Sequence, residues 1–126
     1  TPCRLVDTRE SLGAFGAPAL TAGGVRDFAI PQQSSCGIPP AARAYALNVT
    51  VVPRGPLGYL TMWPSGQPPP FVSTLNSLDG RIKANAALSN ILGPLQLQGN
   101  LFKKNSPLKG FPRGSPVFSG KVHKFL

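Results

Sequence analysis

Tyr59, Thr61 and Trp63 stand at alternate positions of Gly58-Tyr59-Leu60-Thr61-Met62-Trp63. Alternation of period two puts all three side chains on one face of a strand. Two aromatic rings with a hydroxyl between them suit stacking on sugar rings and bonding to sugar hydroxyls. These three are therefore the candidate ligand-binding residues, with packing of Trp63 in the core as the competing expectation. Nucleophilic catalysis of the Ser-His-Asp kind needs a histidine to take the proton. The only one, His123, lies in Gly120-Lys121-Val122-His123-Lys124 with no carboxylate beside it, and the chain has no Gly-x-Ser-x-Gly elbow. Glycoside hydrolysis needs two carboxyl groups about 5 to 9.5 Å apart, and only Asp7, Glu10, Asp27 and Asp79 are available. Asp7 in Asp7-Thr8-Arg9 reads as a structural ion-pair or turn element, Asp27 beside Phe28 as a water-facing strand residue, and Asp79-Gly80 as a turn. No catalytic residue is assigned, and a small glycosidase or esterase is the rival reading.

Two cysteines and one histidine are too few for an ordinary zinc site. The glycines of Gly13-Ala14-Phe15-Gly16 and Gly23-Gly24 lack the lysine and helix of a phosphate loop. The expectation is no metal and no cofactor. The formal charge of +9 favours polyanions. With no helix-turn-helix, zinc finger or aromatic ribonucleoprotein motif, no specific nucleic acid is expected. A polysaccharide or an anionic wall polymer is the partner class. No run approaches the ~20 apolar residues that cross a bilayer, so no transmembrane segment is expected.

The elements that must position these residues are short. A chain of 126 residues is one domain in size, and 15 prolines with 14 glycines leave little room for long helices. The clearest strand is Tyr45-Ala46-Leu47-Asn48-Val49-Thr50-Val51-Val52, with Tyr45, Leu47, Val49 and Val51 on one face. Cys3 to Thr8, Val25 to Ile30, Gly58 to Trp63 and Phe71 to Asn76 read as further strands. Arg81 to Leu92 fits both a strand and a helix. Pro39-Pro40 and Pro68-Pro69-Pro70 mark loops. The expected fold is an all-β antiparallel sandwich of the jelly-roll or immunoglobulin-like type. Cys3 and Cys36 suffice for one disulfide, which would require an oxidising compartment; two reduced buried thiols are the alternative.

Composition changes near Ser89. Residues 1–89 carry a net charge of +3, whereas residues 90–126 carry +6, have no acid, and hold Phe102, Phe111, Phe118 and Phe125. The motifs Pro2-Cys3-Arg4-Leu5-Val6-Asp7-Thr8-Arg9, Cys36-Gly37-Ile38-Pro39, Ala46-Leu47-Asn48-Val49-Thr50-Val51-Val52, Gly58-Tyr59-Leu60-Thr61, Trp63-Pro64-Ser65-Gly66, Ser73-Thr74-Leu75-Asn76 and Ala84-Asn85-Ala86 follow one another over the first 88 residues. In this order they resemble a repeated β-sandwich domain of secreted bacterial surface proteins. The resemblance implies a Cys3–Cys36 disulfide, a strand at Arg81 to Leu88, and a secreted or cell-surface location; it implies no particular chemistry. Members close with a further strand and an apolar ending of the type valine-aspartate-valine-asparagine-glycine-tyrosine-phenylalanine, which residues 89–126 do not match. A missing closing strand leaves an open sheet edge and hence an expected homo-oligomer. Leu95 to Gln98 and Val117 to Leu126 are the segments that could fill the gap, as added or swapped strands. The functional expectation is a non-catalytic extracellular binding or structural module, polysaccharide-binding or self-assembling.

Overall fold

A computed structural model describes residues 2–32, 34–90, 94–100 and 116–125, with the backbone alone for 34, 90, 100 and 116–125. Among the described residues nine strands account for nearly all of the regular structure: β1 (Cys3–Asp7), β2 (Leu20–Thr21), β3 (Val25–Phe28), β4 (Ala44–Pro53), β5 (Leu57–Pro64), β6 (Leu75–Ser77), β7 (Lys83–Asn90), β8 (Leu95–Asn100) and β9 (Pro116–Phe125). The helical turns among the described residues are two short 3-10 segments, Ile30–Gln32 and Ser34–Cys36. One sheet has the order β1-β9-β4-β7, with β2 also on β9, and the other β3-β8-β5-β6. Every strand pairing is antiparallel.

The two sheets pack face to face as an all-β sandwich. In β4 the buried residues Tyr45, Leu47, Val49 and Val51 alternate with half-buried Ala46, Asn48 and Thr50. Leu5, Val6 and Leu20 join them from the same sheet, and meet Phe28, Leu57, Leu60, Leu75, Leu95 and Leu97 from the other. Each such side chain contributes about 1.5 to 3 kcal/mol by leaving water, so this layer dominates the stability. Leu95 and Leu97 follow the change in composition at Ser89, yet are fully or almost fully buried. Residues 95–100 and 116–125 lie as β8 and β9 inside the two sheets of this chain.

Three expected elements differ in extent. The strand expected at Phe71 to Asn76 is reduced to Leu75–Ser77. Pro68, Pro69 and Pro70 have no N–H for a ladder, and the chain rejoins β5 only where the Thr74 N–H donates to the Leu60 carbonyl at 2.7 Å. The strand expected at Val25 to Ile30 stops at Phe28, where the 3-10 turn carrying Pro31 takes over. The ambiguous stretch after Arg81 is the strand β7.

Two links fasten the frame. Cys3 and Cys36 form a disulfide with their Cα atoms 5.5 Å apart. Closing a loop of this length stabilises the fold by ~3 to 4 kcal/mol in the chain-entropy picture. In the turn before β7, Asp79 accepts hydrogen bonds from the Arg81 N–H and the Ser77 hydroxyl, each at 3.2 Å, and pairs with Lys83 at 3.2 Å. The Arg81 N–H chiefly, then Lys83, hold its carboxyl below the usual aspartate value. Gly80 has φ of 69°, and a Cβ there would lie 3.0 Å from the Gly55 carbonyl carbon. The turn thus requires glycine both for its left-handed backbone and for its contact with the β4–β5 turn. No helix among the described residues is long and apolar enough to cross a membrane.

Candidate functional site

The alternation in β5 sends Leu60 and Met62 toward the core and Tyr59, Thr61 and Trp63 to the outer face of their sheet. On the neighbouring strand β8, Gln98 and Gln96 stand opposite Thr61 and Trp63. The connection from Ser65 to Thr74 folds back over this face instead of leaving it open. The Trp63 Nε1–H donates to the Gln67 carbonyl at 3.0 Å and the Thr61 hydroxyl to the Val72 carbonyl at 3.2 Å. The Met62 N–H donates to the Thr74 hydroxyl at 3.1 Å.

This arrangement divides the three candidate residues. Tyr59 and Thr61 line a groove between sheet and loop, with a volume of about 530 Å³. Trp63 does not line it: the side chain is only 5% exposed, yet it lies outside the cluster between the sheets. It is buried under the loop and holds that loop down. The rest of the lining is Gly58, Pro69, Pro70, Phe71, Val72, Ser73, Asn76 and Gln98. A cavity of this size falls within the range of small-ligand sites, about 300 to 1,000 Å³. Thr61 is itself nearly buried, so it shapes the floor.

The amides of the groove are oriented by the frame. Asn76 donates to the Gly58 carbonyl at 2.6 Å and accepts from the Ser73 hydroxyl at 2.7 Å. Gln98 donates to the Gly23 carbonyl at 3.0 Å. An amide has two N–H groups and an oxygen with two lone pairs, so these bonds fix each group and leave it further capacity. Phe71 is fully exposed at the rim and Val72 is 70% exposed. Sequence reasoning missed Phe71, Ser73, Asn76 and Gln98. The alternation Leu95-Gln96-Leu97-Gln98 was a usable signal for the glutamines, whereas nothing local shows that the proline connector returns over β5.

The carboxylates lie elsewhere. Asp7, whose side chain is 1% exposed, is held by Arg9 through contacts of 2.8 and 2.6 Å and by Arg4 at 3.3 Å. Hydrogen bonding from Arg9 lowers the Asp7 pKa, against the opposing pull of burial. A general acid of a glycosidase needs the reverse shift. Glu10 pairs with Arg4 at 3.6 Å and Asp27 accepts from the Ser65 hydroxyl at 3.0 Å. His123 lies on β9 opposite Arg4 and Asn48, and its side chain falls outside the described residues. Among the described residues no three His, Cys, Asp or Glu side chains gather as a metal site. A second cavity of about 410 Å³, between Pro31, Ile38, Pro39, Pro40 and Tyr45, has Arg43 as the one charged group of its described lining. No protein-family model, curated protein or solved structure matches this chain.

Proposed function

We propose that the chain is a non-catalytic, exported binding module whose groove beside Tyr59 takes a neutral polysaccharide strand. One observation carries this reading: the described lining combines the rings of Tyr59 and Phe71 with the fixed amides of Asn76 and Gln98 and contains neither a carboxylate nor a cation. Rings supply flat apolar area, amides supply directed hydrogen bonds to hydroxyls, and the lack of charge favours a neutral ligand over an anionic wall polymer. The disulfide supports an oxidising, extracellular setting, as does the likeness to repeated surface domains. A hydrolase would need a carboxyl held above its usual pKa beside the ligand, whereas Asp7 is shifted down and sits apart.

Calorimetric titration with neutral glucans and with an anionic polymer, each at low and high salt, tests the proposal. Neutral-glucan binding should survive salt and weaken about tenfold in Tyr59→Ala, a loss of ~1.4 kcal/mol. Binding to the anionic polymer alone, fading with salt, would point to bulk charge and refute the groove.

A further inference from the structure

Natural sheets protect their outermost strands by shortness, bulges, prolines or charges. The outer strands of this sandwich mostly obey that rule. β1 carries a register shift between Arg4 and Val6, β2 has two residues, β3 has four with Arg26 and Asp27 among them, and β6 has three. β7 has none of these devices. Its eight residues pair with β4 in one unbroken register, from Ala44↔Asn90 to Val51↔Lys83. It contains no proline, and its one charge, Lys83, sits at its start and is engaged by Asp79. Among the described residues its other edge has no neighbouring strand. From Lys83 to Ser89 its side chains are exposed apart from half-buried Ala87 and Ser89, and Leu88 is 85% exposed.

We propose that β7 pairs antiparallel with β7 of a second copy, about a two-fold axis at Ala86, so that two sheets become one. The occupant follows from the strand's own pattern. Backbone N–H and C=O groups of successive residues point alternately toward and away from β4, so a two-fold pairing must be centred on a residue, not between two. Centring on Ala86 sets Ala84 opposite Leu88, Asn85 opposite Ala87, and Lys83 opposite Ser89. Each exposed Leu88 then covers the small Ala84 of the other copy, and the exposed Ile82 next to the strand falls opposite Asn90. No like charges face each other. Centring on Ala84 would instead make the two Lys83 side chains diagonal neighbours and leave both Leu88 side chains uncovered.

Sedimentation equilibrium of the full chain, from low to high micromolar concentration, is expected to give twice the chain mass. Ala86→Lys would place two cations directly across the axis and should return the chain mass, with an unchanged far-ultraviolet spectrum because Ala86 is exposed. Ala86→Cys should link two copies under mild oxidation in higher yield than Leu12→Cys, at an exposed position outside β7. A monomer at every concentration, a dimer indifferent to Ala86→Lys, or equal cross-linking at the two positions would overturn the proposal. Polysaccharide titration reads the groove independently of all three.

Discussion

The connections from β1 to β2 and from β5 to β6 are both rich in glycine and proline, and they are held by different chemistry. In the first, Asp7 binds Arg9, while the Arg26 guanidinium donates to the carbonyls of Gly16 at 2.9 Å, Gly13 at 3.3 Å and Pro18, and lies 4.7 Å from the Phe28 ring centre. Gly16 lets this loop close on itself, since a Cβ there would lie 2.0 Å from the Ser11 carbonyl oxygen. Its aromatic residue, Phe15, packs on the core. In the second, an indole and a hydroxyl hold the chain by two carbonyls, and the aromatic residue, Phe71, points to solvent. A loop that tucks its ring inward completes the frame, whereas one that holds its ring outward leaves that ring on the surface, where the proposed ligand would meet it.

Trp63→Ala would break the second connection alone and has the largest expected effect. Removing a buried indole costs about 3 to 4 kcal/mol, through lost burial and the cavity left behind. Urea unfolding should show that loss, and hydrogen exchange should accelerate at the Gln67 and Thr74 amides, which are bonded to the Pro64 and Leu60 carbonyls. Polysaccharide binding should fall with it, because the groove's loop wall is no longer fixed. Retained binding in a folded Trp63→Ala protein would separate the loop from the site.

Asp7→Asn would break the first connection instead, by about 2 to 3 kcal/mol, because a buried charge partner of Arg9 is lost. Its pH dependence has a definite sign. The folded-state pKa of Asp7 is lowered, so protons bind the unfolded chain more readily. The stabilisation is complete above the ordinary aspartate value and is lost as pH falls through the folded one. The gap in unfolding midpoint between the wild type and Asp7→Asn should therefore be full near neutral pH and narrow only as pH falls below the ordinary aspartate value. Groove binding at neutral pH should be unchanged in the variant.

Much of this contrast was legible and part was not, for a physical reason. The alternation in β4 and β5 is local, so it marked both the buried face and the shared face of Tyr59, Thr61 and Trp63. Asp7-Thr8-Arg9 likewise spans only three residues, and its ion pair could be expected. The cover over Trp63 could not, because the three prolines state only that the connector is extended, not where it goes. Its path is set by bonds from Trp63 and Thr61 to backbone carbonyls, which any residue carries. The same holds for Arg26, whose partners are carbonyls of a loop eight to thirteen residues earlier.

Arg26→Lys gives the smallest expected effect and the sharpest separation of the two connections. A lysine keeps the positive charge but has a single ammonium in place of the planar fork, so it cannot serve the carbonyls of Gly13, Gly16 and Pro18 together. The loss should be about 1 kcal/mol, the scale of one or two net hydrogen bonds. Hydrogen exchange should rise at Gly13, Gly16 and Ala17, whose amides bond within that loop, and stay level at Gln67 and Thr74. A rise of equal size at both sets would mean that the outer loop depends on the Arg26 clamp, and the two connections would have to be treated as one unit.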